Sequence, residues 1–253
     1  MTKMYVTSRF GLGNNNWFIH SIEKNGVKLA KNRFLRTTVL SMAEKVFQRN
    51  YHKRKQTEKT TPPGVIDDSF YMSLAILNSI KRGFNDYQLS DSTLDKVINI
   101  VVKDLFLEQK ARMQKSIEFK QKYGYTTPSF LVISPTKACN LRCTGCYADA
   151  DEQMSALEWD LLDKIITDAY DFWGTQFFVI SGGEPMAYRS QGKDILDLVQ
   201  NHPDTFFMMY TNGTLIDQNQ AERMANLGNI IPAFSLEGWQ ETTDARRGTG
   251  VFD

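Results

Sequence analysis

The second half of the sequence predicts an α/β fold, four βα units on a parallel sheet, and the first half predicts a basic, mainly helical region. Three observations carry this. Charge divides at Pro128: residues 1–127 hold 22 Lys and Arg against 11 Asp and Glu, whereas residues 128–253 hold 8 against 18. The apolar pattern changes at the same place, from helical stripes to short apolar runs alternating with helices. Each predicted strand is followed at once by a chemically unusual segment, and the carboxyl ends of parallel strands are where such folds build sites. The predicted domains are therefore 1–127 and 128–253.

In chain order, residues 1–16 are rich in Gly and Asn and read as irregular. Apolar residues recur among basic ones over 17–51, interrupted at Asn25-Gly26. Residues 53–64 have no apolar side chain outside their prolines and read as a mobile linker. A helix over 69–82 ends at Gly83. Another starts near Ser92, where Leu94, Val97, Ile98, Val101, Val102 and Leu105 form an i, i+3, i+4, i+7 stripe that can continue to Tyr123. Strands follow over 130–133, 176–180, 205–210 and 230–234. Between them lie a helix opened by the capping-box pattern Ser155-Ala156-Leu157-Glu158 and running to about Trp173, and helices over 194–201 and 218–227. Phe177, Phe178, Phe206, Phe207, Met208 and Met209 are expected as strand core.

The chemistry is concentrated after the first strand. The chain has three cysteines, Cys139, Cys143 and Cys146, all within eight residues. That grouping excludes a secreted disulfide framework and points to metal ligation in a reducing compartment. The first residues offer no signal-peptide h-region, and the apolar windows at 70–80 and 97–102 are too short to span a bilayer, so the expected location is cytoplasmic, with no transmembrane segment. Three thiolates can hold three corners of a 4Fe–4S cube, which takes four ligands, leaving one iron open to an exogenous group. A zinc site is the other reading, and would need His20, His52 or His202 as its fourth ligand.

Cys-x3-Cys-x2-Cys after one strand and Gly182-Gly183-Glu184-Pro185 after the next resemble the radical S-adenosylmethionine (radical SAM) superfamily. The resemblance covers residues 128–253 and implies a partial parallel (β/α) barrel, of which the chain holds the first four units. It also implies a 4Fe–4S cluster on Cys139, Cys143 and Cys146, and an S-adenosylmethionine (SAM) whose amino and carboxylate groups chelate the open iron. Gly182, Gly183 and Glu184 match the segment that binds the SAM amino group, with Glu184 as acceptor. Asn212 and Ser235 stand where relatives direct polar groups at the ribose or carboxylate. Their ordinary alternatives are a turn and a core hydroxyl.

Asp244-Ala245-Arg246-Arg247-Gly248 resembles a run found in relatives with peptide-modifying members. Arg247 is the candidate for the SAM carboxylate, and a solvated Arg246/Arg247 pair is the plainer reading. Relatives usually carry an aromatic residue before the third cysteine. This chain has Gly145 there, and Tyr147 can supply the ring from the other side. The family implies an enzyme that cleaves SAM reductively to a 5′-deoxyadenosyl radical, with a low-potential donor of flavodoxin or ferredoxin type. It leaves the substrate open, with a preference for peptides. The alternative is an iron–sulfur protein for electron transfer or sensing.

Residues 1–60 carry 13 basic against 3 acidic side chains. They read as a solvated helical face, a surface docked on the acidic half, or a patch for an anionic partner such as lipid or nucleic acid. The chain ends where relatives begin the helix after the fourth strand, so a C-terminally incomplete protein is expected.

Overall fold

A computed structural model describes residues 33–59, 61–86, 90, 92–93, 96, 109–150 and 155–253. They divide into two compact units, Met1–Ile98 and Asn99–Asp253.

In the first unit two helices pair, α1 (Arg33–Thr57) and α2 (Pro63–Asp86). The Tyr51 ring stacks on Phe70 at 4.3 Å and its hydroxyl donates to Asp67 at 2.8 Å, while Lys55 and Lys81 pair with Asp67 and Glu44. Ile66 and Leu77 are buried beneath. The linker expected over 53–64 is a correction: α1 runs on to Thr57, and the connection is the short stretch before Pro63. Lys, Arg and Gln are good helix formers, and Arg54 and Lys55 in the last turn complement the helix dipole. The second helix also starts earlier than expected, with Pro63 in the first turn where its missing N–H costs nothing, and it continues through Gly83. The stripe from Leu94 to Leu105 and residues 1–32 lie outside the described residues.

The second unit begins with α3 (Gln109–Tyr123), so it reaches back past Pro128. Lys115 Nζ donates to the Asp171 carbonyl, and the Phe119 ring meets Trp173 edge-on at 6.1 Å. The helix stops at Gly124, whose φ is +83°. Four strands follow: β1 (Phe130–Ile133), β2 (Phe177–Ile180), β3 (Phe206–Thr211) and β4 (Ile230–Phe234). They form one parallel sheet in sequential order, with Ile133 opposite Ile180 and Ile180 opposite Met209. The connections are α4 (Trp159–Asp168) continued by a π-turn to Trp173, α5 (Ile195–Asn201) and α6 (Gln218–Leu227), and α7 (Gln240–Arg247) follows β4. This is a partial (β/α) barrel of four units.

Strand alternation sorts the aromatic and methionine pairs. Phe178, Ile180, Phe207 and Met209 are wholly buried against Leu162, Ile166, Leu196 and Val199. Phe177, Phe206 and Met208 point to the other face and are only half-buried, while Val132 beside them is 60% exposed.

Two further expectations are corrected. Ser155 does not cap a helix: residues 155–157 bridge to the entry of the cysteine loop through Lys137 N to Ser155 O and Leu157 N to Pro135 O. Ser190 Oγ takes the Trp159 N–H instead. The reciprocal capping box stands one helix later, between Asp194 and Asp197, and Arg223 grips both carboxylates. The helix expected to begin only where the chain ends is present as α7. It has Glu241 in its first turn and Arg246 and Arg247 in its last, both suited to the helix dipole.

Asn229, 1% exposed, holds the turn between α5 and β3 by donating to the carbonyls of Val199, His202 and Thr205. Asn229→Ala removes the donor these three carbonyls share, leaving that of Thr205 without one, and is expected to lower the unfolding free energy by about 2 kcal/mol. Urea denaturation reads this, and an unchanged midpoint would contradict it.

Candidate functional site

The four strand ends converge as parallel topology requires. Ile133 leads into residues 134–138 and then Cys139. Ser181 N donates to Ile133 O, Gly183 N to Thr136 O and Glu184 N to Ala138 O, each at 2.8 Å, so the segment after β2 prolongs the ladder along the entry of the cysteine loop. A Cβ on Gly183 would sit 2.2 Å from the Ala138 carbonyl oxygen, and one on Gly182, at φ +114°, 2.6 Å from that of Thr136. The glycines therefore allow the two backbones to touch, and this contact sets where Cys139 starts.

Glu184 is 1% exposed. Its Oε1 accepts from Met186 N at 3.0 Å and Thr211 Oγ1 at 2.7 Å, and its Oε2 accepts from Asn212 N at 2.8 Å. One carboxylate thus joins the ends of β2 and β3, and one acceptor direction remains on Oε2. Burial pushes its carboxyl above the ordinary glutamate range, against the pull of the Asn212, Thr211 and Met186 donors.

Asn212 then reaches the cysteine loop. Its Nδ2 lies 3.9 Å from Cys139 Sγ and donates to Asn140 Oδ1 at 3.0 Å, while its Oδ1 accepts from Thr214. The Leu141 N–H also points at Cys139 Sγ, at 3.4 Å. Burial pushes the Cys139 thiol up, and the Leu141 N–H opposes it. Cys143 is half-buried and Cys146 exposed. Among the described residues no three of His, Cys, Asp and Glu are grouped closely enough for a single ion. A cube distributes its thiolates over separate irons, so a three-cysteine loop with amide donors aimed at a sulfur fits a cluster in the chemistry of its donors.

The remaining candidates fall on the same rim. Tyr147, 81% exposed, shares a hydrogen bond between its hydroxyl and Ser181 Oγ. Ser235 continues the ladder, its N–H donating to Thr211 O at 2.9 Å. Arg247 Nη2 donates to Glu237 Oε1, and its buried Nε has no acceptor among the described residues. Arg247 first, and Arg246 with it, hold the Glu237 carboxyl below the usual range. Asp244 accepts from the N–H groups of Gly250, Val251 and Phe252, closing the turn after α7. Gly145 adopts φ +70° with open space around it, a left-handed turn that an aromatic residue would strain. That is a physical reason for the missing ring.

Asn140, which adjoins Cys139, was not expected in the site. Thr211 stands in the segment expected after β3 but without an assigned role. Arg246 was read only as half of a solvated pair with Arg247, and nothing in the sequence sets it apart from its neighbour.

Residues 133–253 match the family model described as the Radical SAM superfamily. This part of the chain belongs to the radical SAM superfamily. Members of the superfamily use a 4Fe–4S cluster and SAM. Among curated proteins, Fe-coproporphyrin III synthase of Methanosarcina barkeri is 33% identical over 131 residues, covering 49% of this chain and 31% of that protein. The sporulation killing factor maturation protein SkfB of Bacillus subtilis is 28% identical over 125 residues, 48% of this chain and 29% of that one. The match thus spans about a third of the length of these radical SAM relatives. The solved structure of Streptococcus suis SuiB bound to S-adenosylmethionine is similar at 20% identity and a TM-score of 0.46, over 75% of this chain and 41% of that one. No helix among the described residues is long and apolar enough to cross a membrane.

Proposed function

We propose that the protein is a radical SAM enzyme whose cluster is held by Cys139, Cys143 and Cys146. The observation that carries this is the joining of the Gly182–Gly183–Glu184 segment to the entry of the cysteine loop, with the Asn212 amide aimed at Cys139 Sγ. When bound and reduced, the cluster supplies the electron that cleaves SAM to methionine and a 5′-deoxyadenosyl radical, which takes a hydrogen atom from substrate.

The chain's own residues supply the frame. Glu184 keeps one acceptor direction for the SAM ammonium. The orphaned Nε of Arg247 is a donor for which a carboxylate is the natural acceptor. Asn212, Ser235 and Tyr147 border the same rim and serve the ribose, carboxylate and adenine. A low-potential protein of flavodoxin or ferredoxin type delivers the electron. A peptide is the substrate class, on the run from Asp244 to Gly248. An electron carrier without SAM chemistry is the weaker reading, because it leaves the Arg247 Nε without a purpose.

The test is anaerobic reconstitution with iron and sulfide, followed by dithionite and SAM. Formation of 5′-deoxyadenosine and methionine, lost in Cys143→Ser, is expected. A fully loaded cluster that yields neither product would overturn the proposal. Transfer of deuterium from a labelled peptide into 5′-deoxyadenosine supports the substrate class, and transfer only from a non-peptide donor refutes it.

A further inference from the structure

The two limbs of the cysteine loop are anchored in different ways. Before Cys139, the loop is fixed by the backbone bonds from Gly183 and Glu184. Around Cys143 and Cys146 the chain is exposed, and its own turn bonds are long: Cys146 N to Cys143 O at 3.3 Å and Asp149 N to Cys146 O at 3.4 Å. Thr144, between these cysteines, instead makes a reciprocal pair with a residue 102 positions away. Its N–H donates to the Arg246 carbonyl at 2.8 Å, and Arg246 Nε donates to the Thr144 carbonyl at 3.2 Å. Arg246 Nη1 donates in turn to Glu237 Oε2 at 2.7 Å. Both peptide groups of Thr144 are therefore held by one residue, whose guanidinium is oriented by a carboxylate.

We infer that Arg246 is a positioning residue: with Glu237 it straps the Cys143–Cys146 limb to the last turn of α7 and so fixes where the second and third sulfurs stand relative to Cys139. The planar fork suits this, since Nε and Nη1 can address the Thr144 carbonyl and Glu237 together, whereas a lysine offers one point charge. Glu237 also holds Arg247, so one carboxylate sets both the cysteine limb and the donor proposed for the SAM carboxylate.

The inference rests on the radical SAM reading for its purpose but not for its geometry, so the first readout uses the full chain without metal. In Arg246→Ala, amide hydrogen exchange over residues 143–147 is expected to rise roughly tenfold, the loss of one charge-assisted hydrogen bond. Exchange in β2 and β3 should stay unchanged. Arg246→Lys is expected to restore part of the protection, and Glu237→Gln to mimic the alanine variant.

After reconstitution, the reduced-cluster EPR signal of Arg246→Ala is expected to broaden, and the SAM concentration needed to shift it to rise roughly tenfold. Unchanged exchange over 143–147 in Arg246→Ala would overturn the strap. So would an increase shared equally by β2 and β3, which would mark general destabilisation. A wild-type signal that ignores SAM would sink the functional reading instead, leaving the exchange result to decide the strap alone.

Discussion

Glu184→Ala is expected to cost about 4 kcal/mol of stability, since it leaves three donors at a buried site without their acceptor, and to abolish the response to SAM. The residue joins the ends of β2 and β3: Met186 N, Thr211 Oγ1 and Asn212 N all address its carboxylate. Removing it frees Asn212, whose amide reaches Cys139 Sγ, so loss of stability and loss of the site go together. Glu184→Gln separates them. Its shape fits, yet an NH2 in place of either oxygen faces a donor, and the expected cost is about 2 kcal/mol.

The pH dependence follows from the direction of the shift. Burial raises the folded-state pKa of Glu184 above its ordinary value of 4.5, so folding takes up a proton between the two values. The stability this group contributes is fully present below the unfolded pKa and is lost as pH rises through the folded one. The advantage of wild type over the non-titrating Glu184→Gln should therefore shrink as pH rises from below 4.5 towards neutrality. Urea denaturation of both proteins across that range measures it. A gap that widens with pH would mean that the donors outweigh burial.

Gly183→Ala is expected to have the second largest effect, destabilising the second unit by about 3 kcal/mol or more through overpacking against backbone. The added Cβ would lie 2.2 Å from Ala138 O and 2.6 Å from Lys137 O, and no side-chain rotation can relieve a clash with main chain. Either the segment withdraws, breaking the bonds from Gly183 and Glu184 to the loop, or the loop moves and carries Cys139 with it. Both outcomes predict poor iron incorporation on reconstitution. Gly192→Ala is the control, because its Cβ meets nothing within 4 Å and lies far along the chain from the loop, although its φ of +75° adds a modest strain. Equal iron content in wild type and Gly183→Ala would contradict the account.

The strands were legible because each is a short apolar run ending in a segment of special chemistry, and β1, α6 and β4 fall at their expected bounds. The cysteine triplet and the Gly-Gly-Glu segment were legible as patterns for the same reason. Their partners were not. That Gly183 touches Ala138 and that Thr144 meets Arg246 depends on which loops the sheet brings together, and local sequence does not encode a contact across 102 residues. The errors in the helical half have a local cause. Residues 53–57 look like a linker by polarity alone, while ion pairs such as Arg54 with Glu58 and Lys55 with Asp67 support helix there. Ser155 matched a capping pattern, but the loop beside it claimed its backbone first.

The central claim is that the three-cysteine loop holds a cluster with one iron open to SAM. Its most direct measurement is the EPR spectrum of the reduced, reconstituted full chain with and without SAM under strict anaerobiosis. A signal that shifts on adding SAM, and that is lost in Cys139→Ser, is the predicted result. A reduced cluster whose spectrum is identical with and without saturating SAM would contradict it.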